Sequence, residues 1–248
     1  MTNIGVFDTG LGGLTVLSKL VESKKANYFY FGDTLRVPYG NRPKDEIFEF
    51  SCDIVDFLEK FDIDYYVIAC NTISVTCLNL LEEKYKKTFI PITDGGLKAG
   101  RSIPGDLLVL ATKATVDSHF YRDNIEKVGK KVYEVAGYNL VDLIENNQIE
   151  SPKMDESLEE YLDLANKIQI PNILLGCTHF PLIKDEIGRK LTYEVNIIDP
   201  ADYILDKIET NDNDLKIKIF LSQKSKIAES IIQSLIKFDY SLTYVDFV

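Results

Sequence analysis

Two cysteines in matching settings are the residues of this chain best placed to do chemistry. Cys70 sits in Tyr65-Tyr66-Val67-Ile68-Ala69-Cys70-Asn71-Thr72, and Cys177 in Asn172-Ile173-Leu174-Leu175-Gly176-Cys177-Thr178-His179. Each stretch is an apolar run of strand length, then a small residue, a thiol and small hydrogen-bonding residues, with helical character after it. In an open α/β sheet such a junction lies at the carboxyl end of a strand, where ligands bind. The sequence offers that place twice, 107 residues apart. A thiol beside a helix N-terminus is expected to have a lowered pKa and to act as a thiolate base or nucleophile. A lone cysteine is most simply a small buried residue, and that reading suits Cys52 and Cys77, which fall inside helical patterns. The paired setting of Cys70 and Cys177 favours chemistry for those two.

Three chemistries use such thiols. A disulfide switch lacks the usual CxxC context. A thiol hydrolase built on Cys177 and His179 leaves Cys70 unexplained. A two-base proton transfer uses both cysteines. To invert a carbon centre, one base removes a proton from one face while an acid delivers one to the other. Two thiols do this symmetrically, one entering as thiolate and one as thiol, and they exchange states at each turnover. The carbanion between them needs surrounding donors and exclusion of water.

The bulk properties narrow the partners. With 248 residues, 45% hydrophobic and 27% charged, the composition is that of a globular protein able to bury a sizeable core. A net charge of −11 argues against nucleic acid or an anionic membrane surface. An anionic substrate would therefore need local donors, such as glycine-rich turns and helix N-termini. The start of the chain does not read as a signal peptide, and no apolar run approaches a membrane span. Reduced thiols in the cytoplasm are expected. The four cysteines form no CxxC pair, so zinc and thioredoxin patterns are missing and no metal is expected.

The elements that must position the thiols follow in order. Residues 3–8 read as a buried strand, Thr9-Gly10-Leu11-Gly12-Gly13 as a turn, and Leu14, Leu17, Leu20 and Val21 as a helix face. Strand, glycine turn and helix together present backbone N–H groups to an anion. The turn is neither a P-loop nor a full GxGxxG, so it is weak as a nucleotide signal. Asp8-Thr9-Gly10 also spells the aspartic-protease triplet, but it has no second copy and α/β surroundings; a helix N-cap is the simpler role for Asp8. A strand at 27–32 leads into a loop punctuated by Pro38 and Gly40, where Tyr39 is either a pocket residue or a packed aromatic. Ile47, Phe50, Ile54, Phe57, Leu58 and Phe61 form the stripe of an amphipathic helix over 43–61. A strand at 89–93 precedes Asp94-Gly95-Gly96, expected as another glycine-bearing turn. Alternating strands and helices predict a parallel sheet with right-handed crossovers.

The second half repeats this grammar. A strand at 106–111 ends in a hydroxyl-rich stretch, Thr112 to Ser118, suited to an anion. A helix through Phe120 and Tyr121, a strand at 130–135, a helix ending in Glu145-Asn146-Asn147 and a helix over 155–168 lead to Cys177. Beyond it come a helix through Leu182, Ile183 and Ile187, a strand at 194–199, and a helix through Tyr203, Ile204 and Ile208. The tail holds a strand at 215–221, a helix over 224–238 and a strand at 242–247. The expected fold class is α/β: two similar parallel-sheet lobes facing across a cleft, with the C-terminal tail returning to the first. Residues 1–95 plus 209–248 form the expected first lobe and 96–208 the second, with the acidic stretch at 209–214 as the boundary.

Gly5-Val6-Phe7-Asp8-Thr9-Gly10-Leu11-Gly12-Gly13-Leu14-Thr15-Val16 closely resembles the N-terminal signature of glutamate racemases, as does Gly32-Asp33-Thr34-Leu35-Arg36-Val37-Pro38-Tyr39-Gly40. Ala69-Cys70-Asn71-Thr72 and Leu175-Gly176-Cys177-Thr178-His179-Phe180-Pro181-Leu182 look like that family's two cysteine motifs. The motifs are in register and span most of the chain. The resemblance implies racemisation of glutamate without pyridoxal phosphate, other cofactor or metal, D-glutamate for peptidoglycan, and a homodimer. It implies that Cys70 takes the proton from D-glutamate and Cys177 from L-glutamate, with Asp8 assisting near Cys70, and His179 and Glu145 near Cys177. Thr9, Pro38, Tyr39, Gly40, Asn71, Thr72, Thr115 and Thr178 match positions that bind the substrate's charged groups.

The chain also departs from that pattern. It has Thr9 where the family usually has Ser. Gly137-Tyr138-Asn139-Leu140-Val141-Asp142 replaces a Cys-Pro-containing stretch, and Asp94-Gly95-Gly96 lacks a Pro-Gly pair. Aspartate is the alternative substrate, and a binding protein of the same fold is the non-enzyme alternative.

Overall fold

In the computed structural model, which describes residues 1–246, the apolar runs become parallel strands. The first half runs β1 (Asn3–Asp8), α1 (Gly13–Ser23), β2 (Asn27–Gly32), α2 (Lys44–Leu58), β3 (Tyr65–Ile68), α3 (Asn71–Tyr85), β4 (Phe89–Pro91) and α4 (Ile92–Ser102). The second runs β5 (Leu107–Ala111), α5 (Lys113–Asp117), α6 (Phe120–Ile125), β6 (Val132–Ala136), α7 (Leu140–Glu145), α8 (Pro152–Ile168), β7 (Asn172–Gly176), α9 (Lys184–Lys190) and β8 (Asn196–Ile198). The tail adds β9 (Lys216–Leu221), α10 (Lys226–Leu235) and β10 (Ser241–Tyr244).

One sheet has the order β10-β9-β2-β1-β3-β4 and the other β6-β5-β7-β8. Every ladder is parallel. Parallel strands need helices on both faces, which is why β1, β5 and β7 read as nearly continuous apolar runs. Period-two alternation sorts their side chains. Ile4 and Val6 of β1 face a core with Leu14, Leu17, Ile219 and Ile232. Phe7 faces the opposite core, with Ile54, Leu58, Ile73 and Leu81. The tail returns to the first sheet through β9, where Phe220 meets the rings of Phe57 at 5.0 Å and Phe61 at 5.1 Å. Such aromatic pairs contribute about 0.5–1.5 kcal/mol each beyond their buried area.

The order β2-β1-β3-β4 recurs as β6-β5-β7-β8, so the two halves share a topology without sharing a sequence repeat. Cys70 and Cys177 each follow the third strand of that unit. Cys52 and Cys77 are buried among apolar side chains, in keeping with a packing role.

Several elements differ from the sequence expectation. Asp94-Gly95-Gly96 is no turn; it lies inside α4. Its glycines permit close approach. A Cβ on Gly95 would stand 2.2 Å from the Pro200 carbonyl oxygen, and one on Gly96 2.5 Å from the Tyr121 ring. β4 accordingly stops at Pro91. Residues 200–207 form two 3-10 turns, Pro200–Tyr203 and Leu205–Lys207, rather than one helix. Cys177 is likewise followed by a 3-10 turn, Phe180–Ile183, before α9, with Pro181 in the first turn where its missing N–H costs nothing. α2 ends at Leu58, and a 3-10 turn carries the chain to Phe61. The last strand is Ser241–Tyr244; Phe247 lies outside the described residues. Among the described residues no helix is long and apolar enough to cross a membrane.

The α4 packing predicts opposite outcomes at two helical glycines. Gly95→Ala must displace the Pro200 backbone and should destabilise by about 1–3 kcal/mol. Gly188→Ala in α9 meets nothing closer than Ile197 Cδ1 at 3.9 Å. It should be neutral or stabilise by up to about 1 kcal/mol, through helix propensity. Urea midpoints of the two variants check both signs.

Candidate active site

Strand register brings the thiols to equivalent places. Phe7 of β1 pairs with Ile68 of β3, so as the chains leave the first sheet Asp8 falls beside Ala69 and Thr9 beside Cys70. Ala111 of β5 pairs with Gly176 of β7, so Thr112 and Cys177 leave the second sheet side by side. Both exits lie where the strand order reverses, the place an open α/β sheet offers a ligand. Cys70 and Cys177 are each 5% exposed and line one narrow, largely closed cavity. Larger open depressions, such as one bordered by Asp53, Asp56 and Lys60, hold none of this chemistry.

Most of the residues picked from the sequence line that cavity. Thr9, Pro38, Tyr39, Gly40, Asn71 and Thr72 come from the first half, and Thr178 and His179 from the second. Asp8, Glu145 and Thr115 stand behind the lining and touch it through hydrogen bonds. Thr112 and Val141 also line the cavity; from the sequence Thr112 is expected only as part of the hydroxyl-rich stretch at 112–118, and Val141 is not expected at the site. For Thr112 the signal was present: it is the first hydroxyl after β5. None of the lining residues is lysine or arginine. Among the described residues no group of three or more His, Cys, Asp or Glu could hold a metal ion.

Around Cys70 the partner is an acid. Cys70 caps α3, its Sγ accepting the Ile73 N–H at 3.5 Å. Asp8 is fully buried, and its Oδ2 accepts the Gly13 N–H at 2.5 Å and the Thr178 hydroxyl at 3.3 Å. Asp8 thus does cap α1, from before the glycine turn rather than from the N-cap position, which Gly12 holds. Its Oδ1 has no protein partner. Burial raises the Asp8 pKa, against the pull of the His179 charge and the Thr9 and Gly13 amides. Burial, and then the Asp8 charge, push the Cys70 thiol well up, and the Ile73 amide offsets only part of this. The lowered thiol pKa expected from the helix N-terminus is therefore reversed at Cys70. Desolvation outweighs one long N–H···S contact.

Around Cys177 the partner is an imidazole. His179 Nδ1 lies 3.8 Å from Cys177 Sγ, and Nε2 lies 2.6 Å from Glu145 Oε1. Facing the carboxylate, Nε2 carries a proton, although the Gly12 N–H is also directed at it from 3.3 Å, and Nδ1 is left to share a proton with the thiol. Burial opposes the imidazolium, but the bonds to Cys177 and Glu145 outweigh it and hold the His179 pKa well above its usual value. The glycine turn completes this pair from the first half. Leu11 N–H donates to Glu145 Oε1 at 2.9 Å, and a Cβ on Gly12 would stand 2.5 Å from His179 Nδ1. The turn needs glycine because the imidazole rests on it.

Other walls are equally tied. Tyr39 is both pocket residue and packed aromatic: its ring meets Phe50 at 5.5 Å and its hydroxyl donates to buried Asp33. Ser222 of the tail donates to the other Asp33 oxygen at 2.8 Å, and the Val37–Pro38 peptide is cis. Thr72 and Thr112 hydroxyls are 2.9 Å apart and Thr112 and Thr115 are 3.1 Å apart, a chain crossing between the sheets. In the divergent 137–142 stretch, Asn139 donates to Ser157 at 2.8 Å and accepts from the Tyr161 hydroxyl at 3.0 Å. Those bonds hold the segment that carries Val141 to the cavity and Glu145 to His179.

The raised His179 pKa fixes a sign for stability against pH. The bound proton stabilises the fold fully below the unfolded value of 6.5, and the contribution is lost as pH rises through the higher folded value. Glu145→Gln removes the anion that holds this proton. Urea midpoints from about pH 6 to 9 should therefore fall less steeply in the variant than in the unaltered protein; parallel curves would contradict the assignment.

Residues 17–208 match the family described as Asp/Glu/Hydantoin racemase. The chain is 38% identical over 203 residues to glutamate racemase 1 of Caldanaerobacter subterraneus subsp. tengcongensis, spanning 80% of this chain and 75% of that one. It superimposes on a glutamate racemase isoform from Bacillus anthracis with TM-score 0.90 and 28% identity, over 99% of this chain and 98% of that one. On the glutamate racemase from Francisella tularensis in complex with D-glutamate the TM-score is 0.86 at 27% identity, over 99% and 97% of the two chains. Two like sheets, a thiol at the same exit of each and these relatives agree: the chain belongs to the Asp/Glu/hydantoin racemase family and is an isomerase, a racemase.

Proposed function

We propose that this racemase interconverts L- and D-glutamate by proton transfer between its α-carbon and two thiols, Cys70 and Cys177. One observation carries the reading: a thiol from each sheet lines the same largely closed cavity, and each has its own acid–base partner. The relatives named glutamate racemase, and the D-glutamate complex of the Francisella enzyme, support glutamate as the substrate.

In the D-to-L direction Cys70 as thiolate takes the α-proton, and Cys177 as thiol gives its proton to the opposite face. The reverse direction starts with the roles exchanged. Asp8, whose pKa is raised, is a suitable acceptor for the Cys70 proton. The ammonium group of the substrate adds a positive charge that favours the thiolate. His179, held by Glu145, plays the same part for Cys177. Thr9, Pro38, Tyr39, Gly40, Asn71, Thr72, Thr115 and Thr178 form the binding set for the charged groups, with Thr115 acting through Thr112. With no lysine or arginine lining the cavity, hydroxyls, amides and the His179 ring carry the stabilisation of the carbanion, and burial of the site keeps water out.

The wider setting proposed is D-glutamate supply for peptidoglycan in the cytoplasm, by a homodimer. Each protomer divides into one lobe of residues 1–95 plus 209–248 and another of 96–208.

Cys70→Ser and Cys177→Ser should each lower racemisation by at least about 10²-fold, the scale of a lost general acid–base group. The check is α-proton exchange and optical rotation with L- or D-glutamate in deuterated water under reducing conditions, with aspartate in parallel. Near-full activity in either variant contradicts the two-thiol scheme. Exchange with aspartate but not glutamate contradicts the substrate.

A further inference from the structure

Asn71 lines the cavity and is 2% exposed, yet its amide nitrogen Nδ2 has no hydrogen-bond partner. Its Oδ1 is engaged: the Tyr121 hydroxyl donates to it at 2.6 Å. A buried donor left unpaired is costly, so one retained in a cavity wall points to a ligand acceptor.

Tyr121 lies on α6, in the half of the chain that carries Cys177, and is fully buried. Its ring has little freedom. It packs edge-on against Phe120 at 5.6 Å, and α4 approaches so closely that a Cβ on Gly96 would stand 2.6 Å from the hydroxyl oxygen. Burial also holds its phenol far above the ordinary pKa, so it stays a donor at any working pH. Reversing the Asn71 amide would turn an oxygen toward the cavity and make Tyr121 accept an N–H. The phenol hydrogen would then lose the acceptor it has in the structure.

We propose that Tyr121 is a positioning residue for substrate binding: by holding Oδ1 of Asn71 it commits Nδ2 to the cavity as a neutral donor for a carboxylate of the substrate. Tyr121 touches no substrate itself. It reaches across from one sheet's helices to orient an amide borne by the other. The inference rests on the anionic amino-acid substrate proposed above, and it explains how a cavity without lysine or arginine keeps a donor aimed at an anion.

The test is steady-state kinetics with D-glutamate on four proteins: unaltered, Tyr121→Phe, Asn71→Ala and the double variant. Tyr121→Phe deletes one oxygen and leaves the ring in its slot beside Gly96. It should raise KM roughly ten-fold, the scale of one hydrogen bond to a charged group. A kcat within about three-fold marks this as lost binding rather than lost chemistry. Added to Asn71→Ala, it should raise KM no further, because the amide it orients is gone. Unchanged KM in Tyr121→Phe, or the same KM rise on the Asn71→Ala background, overturns the inference. If Tyr121→Phe folds poorly, Gly96→Ala, which presses on the same hydroxyl, should raise KM in the same direction; an unmoved KM there counts against it. Absence of turnover in the unaltered protein overturns the glutamate reading and this inference with it. Turnover there with an unmoved Tyr121→Phe KM overturns this inference alone.

Discussion

A charge formed inside the cavity has no lysine or arginine beside it and little water to share it. The rest of the site answers to that constraint. The protein as a whole carries a net charge of −11, so no general field draws in an anion. What replaces lysine and arginine is a set of directed donors: hydroxyls of threonines, an asparagine amide and the His179 ring. Such donors work only when held in place, because each has an alternative orientation that presents an acceptor instead. The ties behind the lining follow from this, including Asp33 on Tyr39, Thr115 on Thr112 and Leu11 N–H on Glu145.

The two sheets share the order of their strands, and so the two thiols occupy equivalent exits. Their partners are not equivalent. One residue before each thiol the registers differ in kind: Asp8 lies beside Ala69 in the first sheet, whereas Ala111 lies beside Gly176 in the second. The second side draws its acid–base help from His179, two residues along its own loop, and from Glu145 at the end of α7. A near-symmetric scaffold thus carries an asymmetric set of acidic and basic side chains around the two thiols. The glycine turn joins the sides: Gly13 binds Asp8, while Leu11 and Gly12 rest on Glu145 and His179.

Much of this was legible in the sequence. Buried parallel strands write themselves as apolar runs, and a thiol between such a run and a helix is a local signal. The two-sheet fold and the cavity-lining cysteines follow from those local patterns. What escaped depends on contacts far apart in the chain. Gly95 and Gly96 look like turn residues until Pro200 and Tyr121 arrive against them. The Cys70 pKa could be guessed from the helix it caps, but its direction is decided by burial and by Asp8, which tertiary packing supplies. Tyr121 reads as an ordinary helix aromatic, since its hydroxyl meets Asn71 across a separation of 50 residues. Glu145 could be placed at a helix end, yet only the fold brings it to His179.

The central claim is that two different groups exchange protons with opposite faces of one carbon. The direct measurement is where deuterium appears at initial rate. D-glutamate is turned over briefly in deuterated water, the enantiomers are separated, and label at the α-carbon is read by mass spectrometry. Two thiols working from opposite sides predict that the L-glutamate formed carries solvent deuterium, while recovered D-glutamate remains protiated. Comparable label in the recovered substrate and the product would mean that a single group serves both faces, and would contradict the account.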